Sequence, residues 1–344
     1  MELPQLHHPW LIAVWPGMGH VAINAGIYLL AKLGMNALAE FETPDLFDVE
    51  QVEVKEGLIQ PVRRPRHRLY VWQDPQQRHD LVVFVGEAQP QWGKYAFCRH
   101  LMDIARKLNV ERVFTFAAMA TQMHPRQRSR VFGATTDPAY RDELKQLELH
   151  LLQDGHIGGL NGILLAAAAE AQPAEAQLPG TCLLGEMPHI FAQFPFPKAS
   201  LAILEVFTTI ARLDLDLTEL QREAERVEEQ LGELLERVQE KYRELHGEAE
   251  EGEEIEPEEG EEAAEEAAPE ADRETASAEA PEDTRRPGRN GKLSPADQQH
   301  IEQLFTEAAA DRSKAFELKR ELDRLGVFKD YEDRFLDLFK KPSA

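Results

Sequence analysis

The chain has 344 residues, with 62 Asp and Glu against 38 Lys and Arg, a formal net charge of −24. Its two cysteines, Cys98 and Cys182, exclude a disulfide framework and a cysteine-rich zinc site, and no window nears the roughly 18 apolar residues of a membrane span. The acidity argues against non-specific nucleic-acid binding, and the opening MELPQLHHPW lacks the basic and apolar regions of a signal peptide, so a cytoplasmic protein is expected.

Residues 1–212 read as an α/β core domain. Leu11–Trp15 has the length and composition of a strand, and a glycine turn then opens an apolar helix that stops near Gly34. NALAEF is a second short strand. Between Val49 and Trp72 the pattern alternates and breaks at Gly57, Pro61 and Pro65, which predicts antiparallel strands. Asp80–Gly86 and Arg112–Met119 are apolar on both faces, as buried strands are, and a helix over about Trp92–Leu108 separates them. A small-residue helix at Asn161–Ala171, a strand at Gly180–Gly185 and a helix at Ala199–Leu213 follow. This alternation predicts an α/β fold with a mainly parallel sheet, covered by helices on both faces and carrying an antiparallel insertion.

Residues 213–246 hold the cleanest periodic signal. Leu217, Leu220, Ala224, Val227, Leu231, Leu234 and Val238 are spaced alternately by three and four, and Tyr242 and Leu245 extend the stripe after a one-residue shift. Such a heptad stripe fits a short coiled coil that joins copies of the chain or a partner, and equally one amphipathic helix lying on its own domain. Residues 247–290 then carry 18 Asp and Glu with four Arg, a net of −14, leaving −10 for the other 300 residues. With one large apolar residue, Ile255, this stretch has too little to bury to offset its ordering entropy, so 247–292 reads as a disordered acidic linker. Residues 293–341 read as a small helical appendage. Ser294-Pro295 is a helix start, Ile301, Leu304, Phe305 and Ala308 give a helical stripe, and Gly326 separates Leu318, Leu322 and Leu325 from a last helix at Phe328–Phe339.

Three constellations bear on chemistry. Gly17-Met18-Gly19-His20-Val21-Ala22 fits the dinucleotide fingerprint, with Glu40 placed as a ribose-binding acid, but no crossover helix pattern follows the second strand. A tight packing turn is the favoured reading, and an anion at that helix N-terminus is a further one. Second, Gly86-Glu87 and Gly185-Glu186 end two apolar strands in the same way, each followed by a proline. In a parallel sheet, ligands bind beyond the carboxyl ends of the strands, so Glu87, Glu186 and His20 are candidates to share a crevice. Acid–base work there would require one carboxyl pKa to be raised; the alternative is that each Glu accepts hydrogen bonds in its own turn or bridges subunits. Third, the glycine-rich DGHIGGLNG loop offers N–H groups to an anion, with Asn161 as a ligand or simply as a helix N-cap. The twelve histidines show no metal-type spacing, and neither a nucleophile elbow nor a phosphate loop is present, so no catalytic residue, metal or cofactor is assigned. The candidate ligand residues are therefore Gly17, Gly19, His20, Glu87, Asn161 and Glu186.

Taken in order, WPGMGHVA, VWQDPQQRHDLVVFVGEAQP, VFGATTDP, DGHIGGLNG, CLLGEMP and PKASLAILE resemble the bacterial and archaeal branch of the proteasome assembly chaperone 2 family over about residues 8–245. The resemblance implies a nucleoside-phosphorylase-like α/β domain that forms small homo-oligomers, often trimers, and it implies no catalytic mechanism. Family members that dock on proteasomes do so through a C-terminal hydrophobic–tyrosine–any tail. This chain ends Lys340-Lys341-Pro342-Ser343-Ala344, which puts such docking in doubt. The favoured reading is a non-enzymatic homo-oligomeric scaffold, chaperone-like, with an unknown protein partner. The alternative is a nucleotide- or small-anion-binding enzyme that uses the strand-end crevice.

Overall fold

Leu11 and Ala13 point to one side of their strand and Ile12 and Val14 to the other, and all four are buried, which requires cover on both faces. That strand, β1 (Trp10–Val14), lies near the centre of an eight-stranded sheet. The computed structural model describes residues 4–41, 43, 46–47, 52, 54–55, 57–62, 64–171, 174–246, 263–264 and 293–340. The acidic stretch 247–292, read from the sequence as a disordered linker, lies outside them except for residues 263–264.

In chain order the strands are β1, β2 (Asn36–Phe41), β3 (Val54–Lys55), β4 (Leu58–Ile59), β5 (His67–Trp72), β6 (Leu81–Gly86), β7 (Arg112–Thr121), β8 (Val131–Thr135), β9 (His150–Leu151), β10 (His156–Ile157), β11 (Gly180–Pro188) and β12 (Ala263–Ala264). The main sheet runs β2-β5-β6-β1-β7-β11-β8-β9. Its centre, β6-β1-β7-β11, is parallel, with β5 and β8 antiparallel beside it. The fold is thus α/β with a largely parallel sheet. The predicted antiparallel insertion is the β3–β4 hairpin and β5.

The helices divide between the faces. α2 (Lys94–Lys107) and α4 (Gly159–Ala169) cover the side bearing Leu11, Ala13, Val82 and Phe84. α1 (Val21–Lys32), α5 (Pro197–Ala211) and α6 (Thr218–His246) cover the side bearing Ile12, Val14, Val83 and Val85. α3 (Pro138–Gln146) follows β8, capped by the Asp137 carboxylate, which accepts the Ala139 N–H at 2.8 Å, with Pro138 at its first position. The motif VFGATTDP, Val131–Pro138, is thus a strand followed by a capped helix start, and its Asp-Pro pair is the local signal of that start.

The appendage joins the α1 face. Its helices are α7 (Pro295–Ala310), α8 (Ala315–Arg324) and α9 (Phe328–Asp337), and Ser294 caps α7 by accepting the Asp297 N–H at 3.1 Å. Phe316 meets Tyr28 edge-on at 4.8 Å, and Phe339 meets Tyr70 at 5.9 Å. The Ala37 N–H on edge strand β2 donates to Phe339 O at 2.7 Å, and Arg312 bonds Met35 O and Asn36. The appendage therefore covers a sheet edge that would otherwise present unpaired backbone groups. Among the described residues no helix is long and apolar enough to cross a membrane.

On the α2 face, His67 is buried among Phe41, Phe47, Phe84 and Phe97, with ring centroids 4.9–5.8 Å away. Neither ring nitrogen finds a hydrogen-bond partner among the described residues, and burial pushes its pKa down from 6.5 to about 4. A group that resists protonation in the folded state contributes stability that is complete above its unfolded pKa. That stability is lost as pH falls from 6.5 to 4, a loss of about 3 kcal/mol over the window. Urea unfolding at pH 7 and pH 4.5 is expected to show this loss, and His67→Phe is expected to remove most of it. An equal pH dependence in wild type and variant would contradict the assignment.

Candidate functional site

The two matching strand ends do not converge. β1 and β7 lie between β6 and β11, so Glu87 and Glu186 are separated by about 14 Å at the usual inter-strand spacing. They also serve opposite faces. Met187 packs with α1 and α5, so the alternation of β11 sends Glu186 to the α2 side, whereas Glu87 contacts groups on the appendage side.

Each carboxylate is held by an arginine. Glu87 takes the buried Arg68 guanidinium at 2.9 Å and the Arg66 N–H at 3.1 Å. Arg68 also reaches Glu40 at 3.2 Å and Asp333 of α9 at 2.6 Å, so one guanidinium ties β2, β5, the end of β6 and the appendage together. Lys329 Nζ adds a bond of 3.2 Å to the Glu87 carbonyl. Glu186 accepts from Arg130 at 2.5 and 2.8 Å and from Thr121 Oγ1 at 2.9 Å. Burial alone would raise the Glu186 pKa, but the hydrogen bonds from Arg130 and Thr121 outweigh it and hold the carboxyl below its usual value. That direction is opposite to the one a general acid needs. The expectation of a shared crevice is corrected on these grounds: sheet order and strand alternation separate the carboxylates, and each is engaged by its own chain.

The glycine turn is a packing device. Gly17 is extended, and Gly19 sits at φ +58, where a Cβ would stand 2.7 Å from Met187 Sδ. The Gly19 N–H donates to Ala192 O at 2.8 Å, and those of His20 and Val21 go to Gly17 O and Met18 O, so these donors are already satisfied. Glu40 lies on the edge strand β2, three positions from β1, and pairs with Arg68 rather than approaching the turn. The dinucleotide geometry is absent because strand two is not the neighbour of strand one.

Asn161 is buried on α4, on the other side of the sheet from His20. It is not the N-cap, a position held by Gly158. The Gln89 side chain instead accepts the Leu160 N–H at 3.0 Å. At Gly162 a Cβ would meet Ile157 O at 2.3 Å, so the glycine-rich loop is there for close backbone approach.

Of the candidates, His20 lines a cleft. It is a hole of about 250 Å³ between the core and the appendage, bounded also by Pro16, Pro195, Lys319, Phe328 and Lys329. Lys319 is 1% exposed; its ammonium donates to Asn24 at 3.0 Å and to Asp323, and lies 4.4 Å from the Phe328 ring centroid. Lys329 is paired with Glu332 at 2.9 Å. His20 holds a left-handed backbone at φ +52, and burial, followed by the Lys319 charge, keeps its imidazole below its usual pKa. The cleft therefore offers a neutral imidazole beside two engaged ammonium groups. No hydroxyl or thiol nucleophile is among its lining residues. Among the described residues no group of three His, Cys, Asp or Glu is placed to hold a metal ion. Of the residues that matter most here, Arg68 and Arg130 end two basic stretches visible in the sequence, Arg63–Arg68 and Arg126–Arg130, where balancing of local charge is the expectation and contact with an anion the alternative; Lys319 had no local signal.

The heptad stripe is used internally over most of its length. Leu220 and Leu231 are buried in the core cluster with α5, and Leu217, Val227 and Leu234 pack against it partly buried. Val238, at 57% exposed, stands clear.

The sequence model of the PAC2 family matches residues 11–235, about two thirds of the chain. An uncharacterized protein of Methanocaldococcus jannaschii, MJ1210, is 25% identical over 232 residues, covering 66% of this chain and 83% of that protein. The crystal structure of Pyrococcus furiosus PbaB, an archaeal proteasome activator, superposes with a TM-score of 0.57 at 24% identity, over 69% of this chain and 96% of PbaB. That of P. furiosus PbaA, an archaeal homolog of proteasome-assembly chaperone, gives 0.52 at 25% identity, over 71% and 94%. The match of one continuous family model across the whole sheet and its covering helices makes this chain a member of the PAC2 family.

Proposed function

We propose that this protein is a non-enzymatic, homo-oligomeric scaffold of assembly-chaperone type that acts on a protein partner rather than on a small substrate. One observation carries the reading: Glu87 and Glu186, the carboxylates at the strand ends, are each neutralised by an arginine of the same chain and face opposite sides of the sheet. The description of PbaA as a homolog of a proteasome-assembly chaperone supports it. Light scattering on the full-length chain is expected to give a multiple of 39.0 kDa. A thermal scan with nucleotides, sugars and inorganic phosphate is expected to leave Tm unmoved. A ligand present at about 100 times its Kd would stabilise the fold by about 2.7 kcal/mol, so a rise of several degrees with any of them would overturn the non-enzymatic part. The cleft of His20, Lys319 and Lys329 favours a second reading, small-anion binding. A phosphate-induced rise that His20→Ala abolishes would establish that instead.

A further inference from the structure

The appendage does not close completely on the core. Next to the cleft of His20, and sharing Pro195, Lys319 and Asp323 with it, a hollow of about 320 Å³ opens between α6 and α8. Close-packed interiors leave few voids larger than a water, and a space of this size falls at the lower end of small-ligand pockets. Asn24 of α1 and the turn at 194–197 complete its walls. The lining divides by chemistry. Phe194, Pro195, Pro197, Val227, Leu231 and Phe316 supply an apolar wall, while α6 and α8 bring Arg226, Arg320 and Arg324 to it.

Two of these guanidinium groups are taken. Arg226 donates to Glu223 at 2.5 and 3.0 Å, and Arg324 donates to Glu321 at 2.7 and 2.8 Å. Asp323, the other acid of the lining, accepts from Lys319. Arg320 makes no hydrogen bond among the described residues, and its contacts to Glu223 and Glu317 are both at 3.8 Å. The hollow therefore holds four cations, Arg226, Lys319, Arg320 and Arg324, against the two acids, a net of +2 within a chain of −24. An apolar wall beside an under-used guanidinium is complementary to a molecule with a hydrocarbon body and one carboxylate. Size decides against a macromolecule: 320 Å³ is the space of roughly ten liquid waters, whereas a stable protein contact buries at least about 1,200 Å². Inorganic phosphate would leave the apolar wall uncovered. No hydroxyl or thiol lines the hollow, so its occupant is held rather than transformed.

We propose that the hollow between α6 and α8 binds a small amphipathic carboxylate of the medium-chain fatty-acid type, paired with Arg320 and packed on Phe194, Val227 and Phe316. Touching both helices, it fastens the appendage to the core. The appendage lies beyond the residues matched to the family, so the site belongs to this chain rather than to the family domain. It is also independent of the scaffold reading above. The test is calorimetric titration of the full-length chain with decanoate, decanol and acetate, with Tm read in parallel. Decanoate is expected to bind once per chain and to raise Tm. Decanol lacks the charge and acetate the hydrocarbon, and each is expected to bind at least about 10-fold more weakly. Arg320→Met is expected to keep the wild-type Tm, because its ion pairs are long and part-exposed, and to weaken decanoate about 10- to 100-fold. Val227→Phe, which fills the hollow, is expected to abolish binding. A wild type indifferent to decanoate overturns the proposal, and so does equal affinity for decanol. Decanoate binding that either variant keeps at wild-type strength places the ligand elsewhere and overturns it as well. If a variant fails to fold, hydrogen exchange on wild type decides: decanoate-dependent protection within 223–231 and 316–324 supports the site, and protection confined to other segments overturns it.

Discussion

Replacing Arg68 with methionine is expected to lower the unfolding free energy by about 3–5 kcal/mol, the usual cost of removing one partner of a buried ion pair. The guanidinium is 3% exposed and serves Glu87, Glu40 and Asp333 at once. Methionine keeps most of the side-chain volume, so the loss reports charge rather than a cavity. Glu87 stays behind, buried, without its guanidinium. The double variant Arg68→Met/Glu87→Met is expected to recover part of the loss, because the stranded charge is then gone. Urea midpoints of the two single variants and the double variant check this. Additive losses would show that the two groups do not act as a pair.

The second large effect concerns the appendage. Phe335 is fully buried against Phe328 and Phe339, and Phe316 closes over Tyr28. Phe335→Ala and Phe316→Ala are each expected to cost about 3–5 kcal/mol, transfer and cavity terms together. Deleting residues 293–344 should go further, since it uncovers Tyr28, Tyr70 and the β2 edge and removes Asp333 from Arg68. That chain is expected to lose solubility and near-ultraviolet dichroism. A soluble deletion product with the wild-type Tm would make the appendage a mere passenger. The appendage lies beyond the residues matched to the PAC2 family, so its packing is a feature of this chain rather than of the family domain.

The sheet was legible because its strands carry their own local signature. Leu11–Trp15, Asp80–Gly86 and Arg112–Met119 are apolar on both faces, and only a doubly covered sheet buries both. Helix starts were legible where the cap is chemical, as at Ser294-Pro295. Val131–Thr135 was not, since an edge-side strand of mixed burial has no clean alternation. Partner choice was not legible at all. Arg68 and Glu87 are 19 residues apart, Arg130 and Glu186 are 56 apart, and Lys319 and Asn24 are 295 apart. No spacing rule links such pairs; only the strand order brings them together. The likeness of the two Gly-Glu strand ends was genuine, and both carboxylates do the same job. What the spacing could not tell is that two strands stand between them and that they face opposite sides. The α6 stripe likewise announced a helix with an apolar face, while the identity of its partner, α5 and the core, is a tertiary fact.

The most direct measurement is the Tm of Glu87→Gln and Glu186→Gln, each scanned with and without nucleotides and phosphate. If the strand-end carboxylates hold the fold, each amide loses a charge-assisted bond of about 1.5–3 kcal/mol. Tm then falls by about 3–8 °C, and no ligand moves it in wild type or variant. If they serve chemistry, the substitutions should leave Tm unchanged or raise it, as removing a functional charge from an active site commonly does, while abolishing a ligand-induced shift seen in wild type. That second pattern would contradict the scaffold assignment.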